Sequence, residues 1–296
     1  MGLLRMILAR LRHLVDWVAC SPWRSFFTLF VFNIAVRCYY LFQVPPAYIL
    51  PRTDLEQGAI ALSLTRSGQF ANPYIVTTGP TAHLPPITPG ILSLILRLFG
   101  ITITAGYVHV WFTLICYALL FALLPWFADK FGVGRQAGFL GGLAGALVMA
   151  WPEHGEALTA LVLGLLLVAF LHRWTTNRNS TTAGISKSSP FLLGIVFGVA
   201  FHLQPVLLLV LLGCLTFELW WYRGRRRWRH PALILLGVLL ACIPWGYRNY
   251  VAFNELFFIR SNLGLELRMD NHDGAAATME VMDARGEHPH PRSHIV

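Results

Sequence analysis

Residues 102–127 form one apolar run that no Asp, Glu, Lys or Arg interrupts. A helix crossing a bilayer needs about 20 mostly apolar residues, with a range of about 17 to 25. In hydrocarbon the backbone must satisfy its own hydrogen bonds, so such a run folds as a helix. Six further stretches read as crossings: 25–45, 137–151, 157–172, 190–204, 205–222 and 231–247. The third and fourth crossings, 137–151 and 157–172, are short and separated by "WPEHGEA". The fifth and sixth meet at "FHLQP", where Pro205 ends or kinks a helix. The predicted fold class is therefore an all-α polytopic membrane protein with about seven transmembrane helices.

Composition supports this reading. The chain is 56% hydrophobic and 12% charged, about half the charge of an average soluble domain. Its net charge of +9 lies beside the apolar runs. That is the pattern of cytoplasmic membrane flanks and argues against a nucleic-acid partner. The five cysteines include no CxxC pair, and an odd number does not make a disulfide framework. They read as small apolar filler. The segment after Arg24 lacks a small-residue cleavage site, so it reads as an uncleaved first span behind a basic cytoplasmic N-terminus, 1–24.

With that N-terminus inside, the basic stretches "DKFGVGR" (129–135), 172–189 and "RGRRRWRH" (223–230) all fall on the cytoplasmic side. The sequon at Asn179 is then internal and is discounted. The loop 46–101, the "WPEHGEA" turn and the C-terminal segment 251–296 fall outside together. In the outer loop a helix is expected over about 54–67, stopped by Gly68. The stretch 87–100 carries Arg97 and is too short to cross, so it reads as interfacial. A proline-rich path joins the two. A loop of this length usually has a function.

Four stretches, in order, are "DLEQGAIALSLTRSGQF", "GPTAHLPPITPGILSLILRLFG", "HLQPVLLL" and "PWGYRNYVAFNELFFIRSNLGLEL". They span residues 54–267 and resemble the polytopic glycosyltransferases of the GT-C fold. That group includes protein mannosyltransferases and the aminoarabinose transferase of lipid A. The chain looks most like a bacterial branch of dolichyl-phosphate-mannose-transferase-like proteins. The resemblance makes 25–250 a GT-C-like membrane module in a bacterial plasma membrane. It implies an inverting transferase that moves a sugar from a polyprenyl-phosphate donor to an acceptor hydroxyl on the outer face. The acceptor would be a protein, lipid or polysaccharide. The donor is lipid-linked, so no nucleotide cofactor is implied, and whether a divalent metal takes part stays open. Such enzymes are usually longer, with a soluble outer domain, so a minimal or truncated form is expected.

The resemblance also assigns residues. An acid early in the first outer loop is the implied catalytic base, which leaves Asp54 or Glu56. Asp54 matches the better-known members and Glu56 the bacterial branch. A carboxylate there takes the proton of the attacking hydroxyl. The two acids are one residue apart, so on a helix they point to different faces. The alternative is capping, by Asp54 or Thr53, with Glu56 favoured in the first turn. Arg248 and Arg260 flank the last crossing and are candidates for the donor phosphate, which guanidinium binds in a forked geometry. The alternative is generic headgroup contact, with Trp245, Tyr247 and Tyr250 as an aromatic belt. Arg37, a charge within the first span, is a third phosphate candidate or snorkels to the interface. His83, Glu153, His154, Glu156, His202 and Asn249 are the substrate-binding candidates. A solvated turn or a satisfied contact inside the bundle is the plainer reading of several of them. The histidines of the tail, in a proline-rich stretch after Gly274 expected to be poorly ordered, lack a frame for a metal. The rival to an enzyme is a non-catalytic membrane protein: a transporter, a lipid-handling partner subunit, or an inactive relative that keeps the fold.

Overall fold

The computed structural model describes residues 2–74, 77–148, 156–179, 190–221 and 228–258. Ten α-helices follow in chain order among them. They are α1 (Gly2–Ala19), α2 (Pro22–Leu41), α3 (Glu56–Ser67), α4 (Ile87–Phe99), α5 (Ile103–Lys130), α6 (Arg135–Val148), α7 (Glu156–Asn179), α8 (Pro190–Phe201), α9 (Leu207–Trp221) and α10 (Arg229–Phe253). The one β feature among the described residues is an isolated bridge between Ala71 and Pro80.

Among the described residues three helices are long and apolar enough to cross a membrane: α5, α7 over Glu156–Thr175, and α10. The chain is thus an all-α protein of membrane type. Seven full-length crossings are not what the helices give. Over the described residues α6, α8 and α9 run for 14, 12 and 15 residues, below the length of a crossing. The 20-residue α2 has the length but carries Arg24 and Arg37. The break expected at "FHLQP" lies between α8 and α9. There Pro205 cannot donate, and the chain turns through Val206 before α9 begins.

The chain divides into two compact units. One holds Met1–Leu50 and Gly106–Ala183, the other Pro51–Ala105 and Gly184–Val296. In the first, α1 and α2 pack on each other and on α6. Val18 and Ala19, at the end of α1, join Leu29, Ala122 and Phe139 in one cluster. Pro125 interrupts α5 and offers no N–H to the carbonyl of Phe121. Gly142 of α6 lies against that oxygen, where a Cβ would come within 2.8 Å. Small residues permit such close helix contact where no water drives association.

In the second unit α8 runs along α10, and α9 touches both. The crossing is set by glycine. A Cβ on Gly194 would meet the Ile234 carbonyl, one on Gly198 would stand 2.9 Å from the Val238 carbonyl, and one on Gly237 would run into Phe191. α3 packs on α4, with the Thr65 hydroxyl 3.2 Å from that of Ser93. Arg97 Nη2 donates to the Leu64 carbonyl at 2.6 Å. Arg97 therefore ties α4 to α3. As expected, Gly68 ends α3 in the left-handed conformation, at φ 71°.

Candidate functional site

The site is built in the second unit from the loop before α3, the segment 70–83 and the last turns of α10. The sequence placed the last crossing at 231–247, with Arg248 just beyond it. Instead α10 runs through Pro244 to Phe253, and Asn254 ends it in the left-handed region, at φ 58°. A proline inside a helix removes one hydrogen bond. In a membrane helix that loss does not by itself stop the chain. Arg248 and Asn249 therefore stand on a rigid helix.

Residues 70–74 and 77–81 lie back on one another. Asn72, at φ 53°, takes the turn position. Its Oδ1 accepts from the N–H groups of Thr78 and Gly79, at 3.1 and 2.8 Å. The Thr81 N–H donates to the Phe70 carbonyl at 3.1 Å. Arg248 closes this loop. Its Nη1 donates to the Thr81 carbonyl at 2.7 Å and its Nη2 to the Phe70 carbonyl at 2.6 Å. Nη1 also reaches Asn249 Oδ1 at 3.0 Å. The guanidinium stands about 5 Å from the rings of Phe70, Trp245 and Phe253. Three of its five N–H groups are thereby used. Asn249 is fully buried, and its Nδ2 donates to the Phe257 carbonyl at 3.0 Å.

His83 follows two residues after Thr81. Its Nε2 is 3.0 Å from Glu56 Oε2. Its N–H donates to Thr81 Oγ1, and its ring lies against Tyr74. His202, after α8, holds the Gly198 carbonyl through Nδ1 at 2.7 Å. Its own carbonyl accepts from Ile87 at the start of α4. Its ring meets the edge of Trp245, which in turn meets Phe70.

The two acids of the outer loop part company. Asp54 is bound in a fork by Arg52, with contacts of 2.7, 2.9 and 3.2 Å. This bonding holds its carboxyl below the usual carboxylate range. Both side chains are more than half exposed. Neither Asp54 nor Thr53 caps α3. The helix starts one residue later than capping would need, with Leu55 at the cap and no side-chain cap bond. Glu56 does occupy the first turn, as its charge favours.

Five residues chosen from the sequence are thus joined by bonds or ring contacts in one unit: Glu56, His83, His202, Arg248 and Asn249. Arg37 belongs to the other unit. It is buried there, bonded to Asn33 Oδ1 at 2.8 Å, and stands over the rings of Tyr117 and Phe121. The guanidinium is thus held inside the unit, where the alternative reading had it snorkel to the interface. Glu156 is exposed at the first turn of α7, also in that unit. Glu153, His154, Arg260 and the tail histidines lie outside the described residues. Comparison of the chain with protein-family models, with curated proteins and with solved structures gave no match.

Sequence reasoning assigned no site role to Phe70, Asn72, Tyr74 and Thr81, and placed Trp245 in an outer aromatic belt. Trp245 turns inward to Phe70 and Arg248, while Tyr247 and Tyr250 stay exposed. The Asn72 turn had a sequence signal, since Asn followed by Pro favours turn initiation. Among the described residues no three His, Cys, Asp or Glu side chains are grouped to hold a metal.

Proposed function

We propose that the chain is an inverting membrane glycosyltransferase of the GT-C type. It would transfer a sugar from a polyprenyl-phosphate donor to an acceptor hydroxyl at the outer face of a bacterial plasma membrane. The N-terminus would be cytoplasmic and the C-terminal segment extracytoplasmic. On this reading the shorter helices α6, α8 and α9, with α2, complete a seven-helix bundle. The observation that carries the proposal is the pairing of Glu56 with His83, in a loop that Arg248 fixes to the end of α10.

Glu56 is the base in this scheme. It takes the proton of the acceptor hydroxyl while that oxygen attacks the anomeric carbon, and the bond from this carbon to the phosphate oxygen breaks. Lipid phosphate leaves with the electron pair, and the configuration inverts. His83 holds the Glu56 carboxylate in place. Asp54 is the poorer base, because Arg52 stabilises its charged form. The two N–H groups that Arg248 keeps beyond its loop contacts, with Arg260, would meet the phosphate. His202 and Asn249 position this wall rather than touch the sugar. Arg37 and Glu156 have no role in this scheme.

A second reading has its own support. Arg248 already gives its shortest bonds to two main-chain carbonyls, as a structural clamp would. That suits a non-catalytic lipid-binding subunit or transporter. Transfer assays in membrane vesicles with labelled polyprenyl-phosphate sugars separate the two. Glu56→Gln should abolish transfer, by at least about 100-fold, and leave donor binding intact. Transfer by Glu56→Gln at the wild-type rate would remove the enzyme reading.

A further inference from the structure

The N-terminal region is more than a basic leader. α1 is an 18-residue helix that packs against α2 and α6 through its C-terminal end, where Val18 and Ala19 are buried. Met6, Ile7, Leu14 and Trp17 stay exposed, at 44–55%. Arg5, Arg10 and Arg12 are exposed on the same helix. An amphipathic helix with arginines beside a Leu/Trp surface is built to lie in the plane of a membrane interface.

Where α1 turns into α2, two guanidinium groups meet at Cys20. Arg24 Nη2 is 3.6 Å from its Sγ, and Arg135 Nη1 is 3.4 Å from its carbonyl oxygen. Arg24 also stands 4.4 Å over the Trp17 ring. Arg135 is half-buried and shared with Asp129 at 3.0 Å, so one of the two charges is offset. Next to this pair opens a groove of about 380 Å³, walled by Trp23, Phe26, Leu123, Trp126, Leu165 and Arg135. Its size is within the ordinary range of ligand pockets.

We propose that α1 and this groove form a binding site for an anionic phospholipid of the surrounding bilayer. One acyl chain fills the apolar groove, and the phosphate lies against Arg24 and Arg135 in the headgroup layer. Charge complementarity selects this occupant. The surface combines a hydrocarbon wall, exposed Trp17 and Trp23 at headgroup level, and a net excess of arginine, which favours anionic over zwitterionic lipid. The inference rests on the membrane character of the fold and not on the glycosyltransferase reading.

The test is native mass spectrometry of the full chain, exchanged into detergent containing equal amounts of phosphatidylglycerol and phosphatidylcholine. Wild type should retain phosphatidylglycerol in preference by about tenfold or more. Arg24→Gln with Arg135→Gln should erase most of that preference, and the paired lysine variant should keep it. Leu165→Trp leaves the charges and fills the groove, so it should lower lipid retention. It decides the matter if the glutamine variant does not fold. Soluble glycerol phosphate should not compete, because it has no chain for the groove. Equal retention of the two lipids by wild type would overturn the proposal. So would an unchanged preference in the glutamine variant, or undiminished retention in Leu165→Trp.

Discussion

Each unit holds an arginine chosen for the phosphate, and the two are held in different ways. In the first unit Arg37 bonds along its own helix, to a side chain four residues away, and rests on two rings. In the second, Arg248 reaches carbonyls 167 and 178 residues distant in sequence. Arg37 thus bonds within α2 and packs against rings of α5. The bonds of Arg248 tie Phe70 and Thr81 to the end of α10, beside the Ala71–Pro80 bridge. The same residue type, chosen from sequence for the same phosphate, thus packs on the rings of a neighbouring helix in one unit and holds main-chain carbonyls of a loop in the other.

Replacement by methionine should break the comparison most visibly. Methionine keeps the apolar stem and removes the charge. At Arg248 it leaves the Thr81 and Phe70 carbonyls without their charged donor. Charge-assisted bonds contribute about 1.5–3 kcal/mol each, so a loss of about 3 kcal/mol is expected, with early proteolysis within 70–81. At Arg37 a buried charge is exchanged for a well-packed apolar chain, which is often close to neutral. A shift there within about 1.5 kcal/mol is expected. Thermal melts in detergent measure both. Equal losses would mean that the Arg37 charge matters as much to its unit as the carbonyl bonds of Arg248 do to the other.

The glycine contact between α8 and α10 sharpens the picture from the packing side. Gly237→Leu forces a side chain into Phe191 and its neighbours. Overpacking of this kind typically costs about 1–3 kcal/mol. The end of α10, and with it Arg248, should loosen in step. Hydrogen exchange at residues 70–81 would then rise in Gly237→Leu, although no residue of the loop has changed. Unchanged exchange there would separate the clamp from the packing beneath it.

These contrasts also explain what the sequence revealed. α3 with its Gly68 stop, the α4 segment and the break before Pro205 were legible, because each is set by local periodicity or by glycine and proline. The end of α10 was not. The last crossing was expected to end at 247, yet the helix continues to a left-handed Asn254. Glu56, His83 and Arg248 were each legible as chemistry. Their assembly was not, because it depends on a turn at Asn72 whose partners lie six and seven residues on. The length of α8 was overestimated for a related reason. Hydropathy extends over His202 to Gln204, whose backbone has already left the helix.

The smallest effect expected is also the cleanest way to tell Asp54 from Glu56. Asp54 is ion-paired to Arg52 at the surface, and its carboxyl is held below the ordinary range by that bond. A depressed folded-state value contributes stability at pH above the unfolded carboxyl range, about 4. That contribution fades as pH falls through the lower, folded value. Because the pair is exposed, the whole effect should stay within about 0.5 kcal/mol. Asp54→Asn should therefore melt slightly below wild type at pH 7, and the two curves should converge in acid. Salt should narrow the gap at pH 7, since solvent screens this pair. Transfer activity, if present, should survive Asp54→Asn and be lost in Glu56→Gln. The reverse pattern would move the base to Asp54 and leave the Glu56–His83 pair as a brace for the loop.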